Sequence, residues 1–192
     1  MNVTVYGASS RKIEQFYIDA VENLCKRLAK RGHSLVFGGG ATGLMGAAAR
    51  GFKRGGGKIL GIIPEFFKVT HYEVLYQESD KVIWTQDMYE RKRLLAEKAD
   101  AFIIAPGGVG TYDEFFGVLT DKQLHRHVKP IAVYNVNGFY DKLQSFLTFA
   151  TNEKYINENC FELYKLFSDD DKIIEYIESA NATTDKKNYK DV

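Results

Sequence analysis

Apolar positions along this chain switch between two spacings, one suited to short buried strands and one to helix faces. Val3–Ala8 reads as a strand. Ile13, Phe16, Tyr17, Ala20, Val21, Leu24 and Leu28 then recur at helical spacing, and Gly32 follows as a stop. Ser34–Phe37 is a second strand and runs into Gly38-Gly39-Gly40, after which Leu44–Phe52 is small and helical. Ile59–Ile63 is a third strand, closed by Pro64, and residues 65–80 give only a loop with a short turn. Lys81–Thr85 and Met88–Ala99 form the next strand and helix. Ala101–Ala105 is a strand, and a helix beginning near Phe115 runs through about Leu124. Pro130–Val136 is a strand, Phe139–Ala150 a helix and Phe161–Phe167 a late strand, while Asp169 caps a final helix through about Ser179.

Strands alternating with helices imply βαβ crossovers. The fold class is therefore α/β: a Rossmann-like, doubly wound, mostly parallel sheet with helices on both faces. Ligands in such sheets bind outside the carboxyl ends of the strands. No linker or repeat divides the chain, so residues 1–180 are expected to form one domain and residues 181–192 a polar, frayed tail.

Composition narrows the function classes. The 192 residues suit a single domain with a sizeable core. Twenty-six basic against 25 acidic side chains give a net charge of +1, which argues against nucleic-acid or membrane-surface partners. Cys25 and Cys160 lie in no metal or redox motif and read as reduced thiols of a cytoplasmic protein. His33, His71, His125 and His127 show no metal spacing, and the His125-Arg126-His127 cluster is expected to be solvated. Asn2–Tyr6 reads as a short strand rather than a basic segment before a long apolar one, so no targeting signal is expected, and no apolar run nears the roughly 20 residues that span a bilayer.

Three elements that could carry chemistry fall on the same sheet edge. In the first, Pro106-Gly107-Gly108-Val109-Gly110-Thr111-Tyr112-Asp113-Glu114, a glycine turn joins a strand to a helix start. Such a turn lets backbone approach a phosphate and presents free N–H groups at the positive end of a helix. A carboxylate at Glu114 is out of place in a plain anion site and points to chemistry on a phosphorylated substrate. The same Thr111-x-x-Glu114 spacing is also that of a capping box, in which the glutamate merely bonds back to the helix start.

The second element is Asp87-Met88-Tyr89-Glu90-Arg91-Lys92. Arg91 flanks the apolar stripe of its helix, either as a structural ion pair or snorkelling side chain or as an arginine facing an anionic substrate, and Lys92 borders the stripe on its other side, within reach of the same site. The third is Gly38-Gly39-Gly40-Ala41-Thr42-Gly43-Leu44-Met45-Gly46, read either as close packing or as ligand contact. Gly39 and Gly40, with Ser9 of the first strand's turn, are its candidate contacts. Gly38, Gly40 and Gly43 have dinucleotide-fingerprint spacing, but the acid expected at the end of the second strand is absent.

Taken together, Pro106–Glu114 and Met88–Lys92 resemble the paired signatures of the LOG (Lonely Guy) family, cytokinin riboside 5′-monophosphate phosphoribohydrolases that often carry the label "lysine decarboxylase". The resemblance runs from Val3 to about Phe167 and takes in Gly38–Gly46 and Lys129–Val136. It implies a homodimer or an assembly of dimers. It also implies hydrolysis of the N-glycosidic bond of a purine nucleoside 5′-monophosphate, with no metal or organic cofactor. By position it implies Arg91 and Glu114 as the catalytic pair, with Glu73, Lys92, Gly107, Gly108, Gly110, Thr111 and Thr120 as substrate contacts. Tyr89 departs from the family, where many members have histidine. A non-catalytic nucleotide carrier is the alternative. In the catalytic reading Arg91 is expected to hold Glu114 ionised, because a positive neighbour lowers a carboxylate's pKa.

Overall fold

The computed structural model describes residues 1–70 and 73–184. Strands β1 (Asn2–Tyr6), β2 (Ser34–Phe37), β3 (Ile59–Pro64), β4 (Lys81–Thr85), β5 (Ala101–Ile104), β6 (Ile131–Tyr134) and β7 (Lys165–Phe167) form one sheet in the order β4-β3-β2-β1-β5-β6-β7. Every pairing is parallel. The helices are α1 (Gln15–Lys30), α2 (Gly43–Gly55), α3 (Phe67–Thr70), α4 (Met88–Lys98), α5 (Val109–Gln123), α6 (Asp141–Asn152) and α7 (Asp170–Thr184). The expected doubly wound sheet is therefore present, and it is wholly parallel.

Two apolar layers follow from the strand period of two. Val3 and Val5 of β1 join the core beneath α1, α2 and α7. Tyr6 of the same strand joins the core beneath α4, α5 and α6, and Thr4 bonds the Leu95 carbonyl of α4. A strand covered on both faces reads as an apolar run, which is why β5 and β6 are legible. The Ala and Gly content of α2 reflects its tight crossing of α1: a Cβ at Gly51 would press on the Glu22 carbonyl and Cys25. Buried Glu22 holds the crossing by pairing with Arg50 and Arg54.

Several boundaries differ from expectation. Only Lys165–Phe167 of the late strand is extended; Glu158–Glu162 is a 3-10 turn begun by Asn157, whose side chain accepts from the Asn159 N–H. The helix expected from Phe139 starts at Asp141, because Asn137 and Gly138 have φ of 50° and 72° and break it. The loop over 65–80 contains α3 and then doubles back over the second glycine cluster. There Ala41 N–H donates to Val74 O, and Tyr76 N–H to Gly39 O. Helix α7 continues past Ser179 to Thr184, and the rest of the expected frayed tail lies outside the described residues. Among the described residues no helix is long and apolar enough to cross a membrane.

Candidate active site at the carboxyl edge

The strand order reverses its direction of growth at β1, between β2 and β5, and ligands of doubly wound sheets enter at that switch point. The turns after β1 and β5 are stitched together there: Ala8 N–H donates to Pro106 O at 3.1 Å. A Cβ at Gly107 would overlap Thr111, so the turn folds tightly onto its helix. Helix α5 starts at Val109 with Gly108 as its cap, and no side chain caps it. Gly108, Val109 and Gly110 are exposed, and the Val109 and Gly110 N–H groups have no acceptor among the described residues. This is an open, positive helix end.

The second glycine cluster is arranged differently. At the start of α2 the Leu44 and Met45 N–H groups both donate to Ala8 O, at 2.7 and 3.3 Å. Gly43, with φ of 59°, lies against the backbone of Ala8, Ser9 and Ser10, and the Thr42 hydroxyl donates to Ser9 O. Gly39 and Gly40 are buried beneath the 73–76 strap. Rather than presenting backbone at the surface, the cluster makes room for side chains. A Cβ at Gly38 would overlap the Arg91 guanidinium, and one at Gly40 the Glu73 carboxylate.

The capping box occurs on α4, not α5. Asp87 accepts from the Glu90 N–H and the Glu90 carboxylate from the Gln86 N–H, each at 2.8 Å. That start aims Arg91 inward, leaving it 6% exposed. Its Nε donates to Ile62 O at 3.3 Å and its Nη2 to Gly38 O at 3.4 Å. Its Nη1 lies 3.7 Å from Glu114 Oε1. Glu114 itself sits in the second turn of α5, too far along for a helix that begins at Val109 to be capped by it. The capping reading is thereby removed, and an ion pair between α4 and α5 takes its place.

Burial raises the Glu114 pKa from 4.5 to about 7. Arg91 opposes the shift, while Asp113 and Glu73 add to it. Two unit charges at this separation attract by on the order of 4 kcal/mol at an effective dielectric near 20. Removing a carboxylate from water costs several kcal/mol and outweighs that attraction; the like charges of Asp113 and Glu73 add to the shift, and Lys92 opposes it weakly. The expectation that Arg91 would hold Glu114 fully ionised is thus corrected: the carboxyl is poised near neutrality. Burial likewise raises the Glu73 pKa, against Arg91 and Ser9. Glu73 Oε1 is buried with no hydrogen-bond partner among the described residues.

The other expected residues fall around this pair. Lys92 is engaged with Asp113 at 3.0 Å. Lys92, Glu114 and Thr120 line one cleft of about 790 Å³ between α4 and α5. Thr120 is exposed, six residues beyond Glu114 and so about 9 Å further along the helix axis. Tyr6, which the sequence reading leaves in the first strand, also lines the cleft; strand alternation was the available signal. His127, expected to be solvated, is half-buried, with Nε2 2.9 Å from Val118 O.

The family model described as "Possible lysine decarboxylase" matches residues 45–177. The cytokinin riboside 5′-monophosphate phosphoribohydrolase LOG of Oryza sativa subsp. japonica is 40% identical over 157 residues, which are 82% of this chain and 64% of the rice protein. The enzyme of that name from Arabidopsis thaliana, LOG2, is 38% identical over 81% of this chain and 72% of its own length. Among solved structures, the molybdenum cofactor carrier protein of Chlamydomonas reinhardtii superposes with a TM-score of 0.71 over 94% of this chain and 98% of its own. At 20% identity that likeness speaks for the fold alone. With both signatures meeting at one edge and relatives of this similarity, the chain belongs to the LOG family, whose sequence model bears the lysine decarboxylase description.

Proposed function

We propose that the chain hydrolyses the N-glycosidic bond of a purine nucleoside 5′-monophosphate, AMP or an N6-substituted relative of the cytokinin type, to free base and ribose 5-phosphate. The observation that carries this reading is the Arg91–Glu114 pair, 3.7 Å apart with Arg91 buried and Glu114 largely so, beside the uncapped start of α5. Relatives 38–40% identical are named for that activity, which supports the reading.

In this reading the N–H groups of Gly108 and Gly110, with Gly107 and Thr111 shaping the turn, hold the 5′-phosphate. Binding that remote group fixes the sugar over Glu114. As the C1′–N bond breaks, its electron pair leaves with the base and positive charge builds on the ribose, as in glycoside hydrolysis. The Glu114 carboxylate faces that charge and takes a proton from the attacking water, whose oxygen bonds to C1′; the departing base is protonated in turn. Arg91 binds the substrate's anionic side and keeps a fraction of Glu114 ionised. Glu73, Ser9, Lys92 and Thr120 contact the nucleotide from the rim, and Gly39 and Gly40 give Glu73 its seat. The reaction needs water and no cofactor.

Residues up to about 180 act as one catalytic domain. We place the protein in the cytoplasm, consistent with two free, buried cysteines, and assign it neither nucleic-acid nor membrane partners. Exposed Phe116 on α5 and Phe146 and Phe149 on α6 favour a homodimer or an assembly of dimers. The test is chromatography of the products from a nucleotide panel. Base release is expected from monophosphates and not from unphosphorylated ribosides, with losses of about 100-fold or more in kcat for Glu114→Ala and Arg91→Ala. Near-native turnover in both variants would refute the assignment, and saturable binding without base release would favour the carrier. The same preparation should sediment as a dimer or larger species.

A further inference from the structure

The described structure contains four buried tyrosines: Tyr6, Tyr134, Tyr140 and Tyr164. Three have hydroxyl partners. Tyr134 bonds Asp170, Tyr140 the Ala105 carbonyl and Tyr164 the Gln144 side chain. The Tyr6 hydroxyl has no hydrogen-bond partner among the described residues, and it is not one of their fully buried unpaired polar atoms, so it keeps access to solvent. The residue is only 4% exposed, and what exposure it has is to the cleft shared with Glu114.

Backbone and ring contacts both hold it in place. Tyr6 ends β1 at the switch point, opposite Ile104 of β5, and its carbonyl accepts from the Ala105 N–H at 2.8 Å. Its ring is stacked on Phe102, 9° from parallel with centroids 6.1 Å apart. It stands on the sheet face that carries Arg91 and Glu114. A phenol held rigidly in an apolar layer, with its polar end free in a cleft beside a carboxylate, is suited to hold a small polar molecule there.

We infer that Tyr6 is a further catalytic residue, whose hydroxyl and the Glu114 carboxylate together hold the attacking water. The inference rests on the phosphoribohydrolase reading. The water donates one hydrogen to Glu114 and accepts one from the Tyr6 hydroxyl. Its remaining lone pair forms the bond to C1′ while the C1′–N bond breaks toward the base. Tyr6 keeps its proton throughout: burial and the Glu114 charge raise its pKa, with Arg91 opposing. It therefore orients the nucleophile, and Glu114 alone takes the proton. The charged and titratable groups bearing on Glu114 are Arg91 and Lys92 from α4, Asp113 on its own helix, Glu73 from the strap and Tyr6 from β1.

Tyr6→Phe keeps the ring and its stack, so folding is not at issue and circular dichroism should be unchanged. With AMP, or whichever monophosphate the wild type hydrolyses best, kcat is expected to fall by about tenfold or more, with KM within about twofold. The acid limb of the rate profile should also move, because the shared water no longer links the two groups. Wild-type kcat together with an unmoved limb would overturn the assignment of Tyr6 while leaving the hydrolase reading intact. Failure of the wild type to release base from any monophosphate would overturn the hydrolase reading, and the inference with it.

Discussion

In the proposed reaction Glu114 combines two roles whose pH dependences run in opposite directions. Acting as a carboxylate, it should lose activity on acidification, with kcat/KM falling about tenfold per pH unit below a limb near pH 7. Its folded-state pKa is raised, so for stability the sign is reversed. The contribution is fully present below the unfolded value near 4.5 and is lost as pH rises through about 7. That displacement corresponds to about 3 kcal/mol at most, with the attraction to Arg91 already included. Glu114→Gln should therefore be inactive yet more stable than wild type at pH 8, and close to it at pH 4. Thermal melts at the two pH values check this; equal melts at pH 8 would remove the cost of burial from the account. That Arg91 and Glu114 share one edge was legible in the sequence, because their motifs lie at two strand ends of that edge. The sign of the Glu114 shift was not, because it is set by how deeply the fold buries the carboxyl.

At the scale of elements, α7 is tied to the turn between α1 and β2, on the same face of the sheet. Glu178 accepts from Arg31 Nε at 2.7 Å and pairs with His33 Nε2 at 2.9 Å. These partners lower its pKa to about 2, Arg31 first. A lowered folded-state pKa gives stability above the unfolded value near 4.5 that disappears as pH falls through about 2. Glu178→Gln should lower Tm by about 2–4 °C at pH 7, with the difference vanishing near pH 2; a pH-independent loss would assign the effect to packing. The regular elements were readable from period alone, since a helix stripe and a doubly buried strand have different signatures. The misread stretches are short and governed by single side chains. Phe161–Leu163 is apolar enough for a strand, but Asn157 turns the chain just before it. The strap over Gly39–Ala41 has only an isolated bridge, between Gly40 and Leu75, and no periodic pattern to betray it.

Viewed as a whole, the molecule holds the proposed catalytic pair between two helices anchored on opposite sides of the switch point. Arg91 arrives from the helix that packs on β3, Glu114 from the helix after β5, and Tyr6 from the strand between them in the sheet order. None of the three lies on a free loop, so the pair is positioned by the packed core. The edge of the sheet was inferable from βαβ alternation. The side of the sheet on which Arg91 and Glu114 meet required the observed topology.

The Ala8 carbonyl that accepts from the Leu44 and Met45 N–H groups has a consequence for what the crevice admits. Two helices point their positive ends toward this edge, and the chain's own peptide oxygen already sits where an anion would lie on α2. A pyrophosphate bridging both ends would have to evict it and break two backbone bonds. The fold has the outline of a dinucleotide receptor with one of its two sockets plugged from within. NAD+ titrated by calorimetry should accordingly give no saturable heat under conditions in which AMP does, and comparable binding of both would show that the plug opens.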